Sequence, residues 1–295
     1  MSNRRRLILL IAACVLAISA IAGYAWIDRW QRAAIFSVEL GESRWWREPP
    51  PGTVVFDLAL PKQQHIRAWY LHQDRPDAPT VLYLHGSRWN LNDSVARIER
   101  WADMGFSVLA IDYRGFGTST PMLPSESSVV EDAAAALQEL ARRQPDPARR
   151  YVYGHSLGGA VAVALAAKHD RPAIAGLIVE STFTNIRDMI AATRWSAIPG
   201  LRFLVTQPFD SLDAMRRIRE PVLIIHGTAD RVVPHAMSDA LYDAASTVPG
   251  RKRQLLKIEG ASHSGASRSG PRYTDAVLDF VDDASARHAR TLSRN

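Results

Sequence analysis

The sequence predicts an α/β domain: a mostly parallel twisted sheet with helices on both faces, an antiparallel hairpin at its start and a short cap insertion. Three observations predict it. From Thr80 onward, short aliphatic or β-branched runs alternate with longer amphipathic stretches, the pattern of strand–helix–strand units whose sheet is covered on both sides. Before Thr80, the runs Thr53 to Leu60 and His65 to Leu71 flank Pro61-Lys62-Gln63-Gln64, which reads as a hairpin. Near the middle, Tyr151-Val152-Tyr153 passes through Gly154-His155-Ser156-Leu157-Gly158-Gly159 into a small, apolar, helix-favouring run. A serine in a tight strand-to-helix turn needs neighbours without a Cβ, so Gly154-x-Ser156-x-Gly158 reads as a nucleophile elbow.

In chain order, residues 1–6 form a basic start with Arg4-Arg5-Arg6, and 7–27 are apolar apart from small residues and Tyr24. About twenty apolar residues span a bilayer as a helix, and flanking arginines stay cytoplasmic. Residues 7–27 are therefore expected to be a transmembrane signal anchor that leaves the rest of the chain extracytoplasmic, periplasmic if bacterial. Two rivals are a signal cleaved after Ala20-Ile21-Ala22, giving a secreted protein, and a lipoprotein box ending at Cys14. Residues 28–52 are expected to be a linker, with Trp45-Trp46-Arg47-Glu48-Pro49-Pro50-Pro51 either strapped to the domain or touching the membrane interface.

The domain is expected over 53–285. Thr80 to Leu84 is a buried strand ending in His85-Gly86-Ser87. Asp93 to Met104 is an amphipathic helix, Phe106 to Ile111 a strand, and Ser125 to Arg143 a helix stopped by Pro145 and Pro147. After the elbow come the strand Ile174 to Val179 and an irregular region, Ser181 to Arg219. The strands Pro221 to His226 and Gln254 to Ile258 follow, each with a helix after it. Residues 286–295 read as a polar tail.

Composition narrows the function classes. With 47% hydrophobic and 22% charged residues, the chain is globular, not disordered. The net charge of +6 rests almost wholly on arginine, with Lys62, Lys168, Lys252 and Lys257 the only lysines. No basic stripe with interleaved aromatics accompanies it, so no nucleic-acid partner is expected. The single cysteine, Cys14, excludes an internal disulfide and a thiolate metal site in the domain. No metal cluster, phosphate loop or dinucleotide fingerprint is present, so no cofactor and no metal are expected.

A serine hydroxyl needs a base to take its proton and a carboxylate to orient that base. In a parallel sheet, ligand sites form at the carboxyl ends of the strands. Downstream of Ser156, His169 lies beyond the elbow helix, His226 ends a strand, His235 begins a helix and His288 falls in the tail. His263 occupies the flexible loop Gly260-Ala261-Ser262-His263-Ser264-Gly265 directly after a strand, and is the candidate base. Asp230, in the turn after Pro221 to His226, is the leading acid; a helix-capping role is the alternative for it, and Glu180 is the rival acid. The oxyanion hole is assigned to the amides of Leu157 and Ser87. His85, Asp112 and Arg114 read as braces for their loops.

These motifs, with Asp112-Tyr113-Arg114-Gly115-x-Gly117-x-Ser119 and His226-Gly227-x-x-Asp230-x-x-Val233-Pro234, resemble the α/β-hydrolase superfamily over roughly residues 53–282. The order Ser156, Asp230, His263 matches that superfamily's serine–acid–histidine order. Glu180-Ser181-Thr182-Phe183-Thr184-Asn185 and Phe209-Asp210-Ser211 are similar to a branch holding serine aminopeptidase-like proteins and membrane-associated acyl-protein thioesterases. That resemblance implies a serine hydrolase acting on an ester, thioester or amide of a small-molecule, lipid or acylated substrate at the membrane surface. Acyl transfer and non-catalytic binding are the alternatives. The sequence departs from the branch at Ser87-Arg88-Trp89-Asn90, where bulky residues are expected to narrow or reshape the acyl or leaving-group site. The insertion Ser181 to Arg219 is apolar enough to hold an acyl chain or simply to pack helices on the sheet.

Overall fold

The computed structural model describes residues 3–39, 41–247 and 250–292, without the side chains of 194 and 286–292. Strands β1 (Val54–Leu60) and β2 (Gln64–Leu71) form the antiparallel hairpin, and β2 pairs antiparallel with β4 (Ser107–Ile111). The remaining strands, β3 (Thr80–Leu84), β5 (Arg150–His155), β6 (Gly176–Glu180), β7 (Val222–Gly227) and β8 (Arg253–Ile258), are parallel to β4 and to one another. The eight lie in the order β1-β2-β4-β3-β5-β6-β7-β8. Every residue of β3, β4, β6 and β7 is buried, as a strand covered on both faces requires.

Successive side chains of one strand serve opposite cores. Leu82, Leu84, Leu109 and Ile111 pack with α3 (Glu126–Arg143) and α4 (Leu157–Ala166), while Val81, Tyr83, Val108 and Ala110 pack with α2 (Leu91–Asp103) and α8 (Pro271–Leu292). Helix α2 starts two residues before the expected Asp93 because Asn90 caps it: the Asn90 side chain and Asp93 exchange hydrogen bonds with each other's amides, a reciprocal cap. Ser125 and Ser128 do the same for α3. The insertion carries α5 (Ile186–Ala191), single 3₁₀ turns at Arg194–Ala197 and Leu201–Phe203, and α6 (Ser211–Arg217). Helix α7 (Ala236–Ala245) follows β7.

The N-terminal helix α1 runs unbroken over Asn3–Phe36 and is long and apolar enough to cross a membrane. It does not end at residue 27. Its last turns dock on the domain, with Gln31 and Phe36 buried and the Phe36 ring edge-on to Phe209 at 6.1 Å. Residues 28–36, expected as linker, are thus packed helix, because Phe36 has a place in the core. The stretch beyond runs along the start of α2, where Arg47 N–H donates to Asn92 O (3.1 Å) and Asn92 Nδ2 returns a bond to Arg47 O (2.8 Å). Of the stretch expected as a polar tail, 286–292 continue α8 and 293–295 lie outside the described residues.

Candidate active site

Ser156 stands between β5 and α4 with φ 56° and ψ −120°, a conformation rare for a residue with a side chain and held here by its surroundings. Its N–H donates to Glu180 O across the sheet (2.9 Å). The flanking glycines are there for space. A Cβ on Gly154 would lie 2.1 Å from Gly158 O, and one on Gly158 would lie 2.2 Å from Leu84 O. Leu157 opens α4, so its amide has no acceptor within the helix.

The loops after β7 and β8, neighbours in the sheet, bring Asp230 and His263 together. His263 Nδ1–H donates to Asp230 Oδ2 at 2.8 Å. The other Asp230 oxygen accepts the amides of Val232 (2.8 Å) and Val233 (2.9 Å), and the buried His226 Nε2 lies 3.2 Å from Oδ2. Burial raises the Asp230 pKa, but bonds from His226 and His263 outweigh it and hold the carboxyl well below the carboxylate range. An ionised carboxylate only accepts, so His263 carries its proton on Nδ1 and leaves Nε2 free to receive one.

Two histidines next to this pair were not assigned roles from sequence. His155, directly before Ser156, donates Nε2–H to the carbonyl of His263 (3.0 Å), with ring centroids 5.0 Å apart. Burial first, then Arg97, pushes its pKa down to about 3, so it is a neutral brace between elbow and loop. His155 precedes Ser156 in the chain, whereas a serine–acid–histidine order puts the base downstream of the serine. His226 was weighed as a base, and instead it stands behind Asp230. Of the other candidates, His169 is exposed, His235 Nδ1 is 3.1 Å from Lys257 Nζ, and the side chain of His288 is outside the described residues.

Glu180, the rival acid, is spent elsewhere. It is fully buried and accepts from Arg97 Nη1 (2.7 Å), Tyr153 Oη (2.8 Å) and Tyr273 Oη (3.0 Å). Burial raises its pKa, but Arg97 chiefly, then His155 and the bonded hydroxyls, bring it down to about 2 from an ordinary 4.5. A depressed acid contributes stability that is complete above its unfolded pKa and is lost as pH falls through the folded one. Glu180→Gln should therefore flatten the loss of stability between pH 4.5 and about 2. At neutral pH it leaves Arg97 uncompensated, costing about 3 kcal/mol, or roughly 6–12 °C in Tm. Thermal unfolding across pH reads both effects.

Ser87 and Leu157, the assigned oxyanion donors, line the same cavity as Ser156. The loop after β3 passes close to the nucleophile, since a Cβ on Gly86 would sit 3.4 Å from Ser156 Cβ. His85 braces that loop. Its Nδ1–H donates to Gly86 O (2.6 Å), its ring packs on Tyr113 and Phe116, and burial lowers its pKa to about 4. Asp112, pushed up to about 8 by burial, accepts the Leu91 amide (2.9 Å), and Arg114 pairs with Asp132 (2.6 Å). Arg88 and Trp89 do not narrow the cavity. Arg88, at φ 77°, turns its side chain toward Glu39 (3.7 Å), and both residues are exposed and outside the cavity walls.

The cavity measures about 240 Å³. Its walls are mainly apolar, from α5 and its flanks (Phe183, Ile186, Met189, Ile190), from Val232 and Val233, and from the end of α1, with Gln31, Ser87, Ser156 and Thr193 as the polar members. Among the described residues, no His, Cys, Asp and Glu cluster has the arrangement of a metal site.

A family model described as serine aminopeptidase, S33 matches residues 75–213. The chain is 30% identical over 245 residues to the Arabidopsis thaliana alpha/beta hydrolase domain-containing protein WAV2, covering 77% of this chain and 78% of that one. It is 31% identical over 235 residues to the Danio rerio lysophosphatidylserine lipase ABHD12, covering 72% of this chain and 60% of that one. The Pyrococcus furiosus esterase Pf2001 superposes with a TM-score of 0.63 at 19% identity, covering 83% of this chain and 97% of the esterase, which supports the fold. An eight-stranded, mostly parallel sheet, a serine in a strained strand-to-helix turn and a 30% identical relative matched over more than three quarters of both chains lead to one assignment: the chain belongs to the α/β-hydrolase superfamily.

Proposed function

We propose that this hydrolase cleaves a carboxylic ester or thioester, with an amide as a further substrate type, through Ser156, His263 and Asp230 by way of an acyl-enzyme. The observation that carries the reading is the His263–Asp230 bond of 2.8 Å, in a loop tied through His155 to the elbow that bears Ser156. As Ser156 Oγ attacks the carbonyl carbon, its proton passes to His263 Nε2, and the charge on the carbonyl oxygen is met by the amides of Leu157 and Ser87. Collapse breaks the bond to the leaving group, which takes the proton from His263. A water then gives a proton to His263 and attacks the acyl carbon; Ser156 leaves with that proton and the carboxylic acid is released.

The apolar cavity beside Ser156 suits an acyl chain. The relative named a lysophosphatidylserine lipase supports a lipid ester. In the proposed topology residues 7–27 cross the membrane, and the domain over 53–285, with residues 28–36 packed on it, stands on the side opposite Arg4-Arg5-Arg6. Small-molecule, lipid or acylated substrates then meet the site at the membrane surface. The test is hydrolysis of chromogenic esters of rising acyl length by the full chain in detergent, beside its Ser156→Ala variant. Serine-dependent turnover supports the reading. Equal rates from both proteins, or none from folded wild type with esters, thioesters and acylated peptides, sink it.

A further inference from the structure

The end of α1 is fastened to the domain at several points. Gln31 Nε2 donates to Leu204 O (2.6 Å), Thr206 N–H donates to Gln31 Oε1 (3.0 Å), and Gln207 Nε2 donates to Asp28 Oδ1 (2.8 Å). Arg32 Nε donates to Pro124 O (2.8 Å). Arg88 N–H donates to Phe36 O (2.9 Å) and Glu39 N–H to Arg88 O (3.0 Å), joining the helix end to the loop that carries Ser87. Trp30 meets Trp195 of the insertion edge-on at 5.7 Å.

Between these attachments, Trp30, Ala34 and Ile35 line the cavity that holds Ser156. Ala34 lines it and is also exposed, so it presents a small methyl where a larger side chain would take up cavity volume. Ala33, next on the helix, is exposed and is not part of the wall. If the bilayer span ends near Ile27, Ala34 lies only about 10 Å further along the helix axis. The neighbouring insertion exposes Ile198, Phe203 and Leu204, with Phe203 76% exposed. Exposed apolar groups beside a membrane-exiting helix suit the lipid boundary rather than water.

Resting on the proposed hydrolase reading, we infer that the anchor helix is itself part of the acyl-binding site: Trp30, Ala34 and Ile35 form the wall against which the substrate's chain lies, and Ala34 sets the chain length accepted. The acyl chain enters from the bilayer between α1 and the insertion. The anchor is therefore a specificity element as well as a tether.

The test uses the full chain in detergent micelles, with chromogenic esters from two to twelve carbons. Ala34→Trp should lower the ratio of long-chain to short-chain kcat/KM at least tenfold, Ala34→Leu should do so less, and Ala33→Trp should leave the profile as it is. A second readout needs no turnover. A diazirine-bearing long-chain fatty acid, photolysed with the Ser156→Ala chain, should label the peptide holding Trp30 to Ile35, and Ala34→Trp should abolish that label. An unchanged length profile in a folded, active Ala34→Trp variant overturns the inference while the hydrolase reading stands. Labelling confined to residues 7–27 also overturns it. Labelling at 30–35 without serine-dependent turnover upholds the binding wall and removes the hydrolase reading instead.

Discussion

Ser156→Ala should lower kcat on any accepted ester by about 10⁵–10⁶-fold, and His263→Ala should do about the same. The two changes together should cost no more than either alone, because nucleophile and base act as one unit and removing either leaves only binding and the oxyanion donors. The fold should survive both. Ser156 makes no side-chain cap to α4, and its strained backbone is held by the Glu180 carbonyl and the close approach of Gly154 to Gly158, none of which depends on the hydroxyl. Circular dichroism and Tm near wild type, with activity at background, are the expected pair of results. A loss of less than tenfold in Ser156→Ala would place the nucleophile elsewhere. Losses that multiply in the double variant would mean that Ser156 and His263 act in separate steps.

Such a prediction was available from sequence because the elbow is local. Gly154 and Gly158 are legible as residues that must lack a Cβ, and the structure gives the contacts such atoms would make. The strands were legible for a related reason: a strand buried on both faces is a mostly apolar run, and β3, β4, β6 and β7 are apolar except at or beside an end, where Thr80, Ser107, Glu180 and His226 stand. The end of α1 was not legible. Asp28, Arg29, Gln31 and Arg32 are polar, which after an apolar span reads as linker. What fixes this stretch on the domain is distant in sequence: Gln31 bonds to Leu204 and Thr206 and Asp28 to Gln207, more than 170 residues away, and Arg32 bonds to Pro124. No periodicity encodes such a partner. His155 and His226 were hidden in the same way, since a histidine within a motif shows neither which loop it touches nor which carboxylate it faces. Arg88 and Trp89 misled by bulk: size says what a side chain can block, but the positive φ of Arg88 and the pull of Glu39 decide where it points.

The second large effect separates the two acids. Asp230→Asn should lower kcat by about 10⁴-fold, with little change in how much protein folds. Around Asp230 stand four donors: His263 Nδ1, His226 Nε2 and the amides of Val232 and Val233. An asparagine keeps one acceptor oxygen, which the two amides can hold, but it turns an NH₂ toward His263. His263 answers by moving its proton to Nε2, where it can no longer accept one from Ser156. The chemistry is lost through the tautomer while the loop keeps its shape. Because the carboxyl of Asp230 lies well below the ordinary carboxylate range, the wild-type group stays ionised at any assay pH near neutral, so acidification should not reproduce the defect there. Glu180→Gln should behave in the opposite sense, with a lower Tm and kcat within about tenfold of wild type below its unfolding transition, since Glu180 is bound to Arg97, Tyr153 and Tyr273. The crossed result, full rate in Asp230→Asn and none in folded Glu180→Gln, would transfer the orienting role to Glu180. It would also require the Asp230–His263 bond to break before catalysis, which hydrogen-exchange or NMR observation of the Nδ1 proton on the intact enzyme would detect.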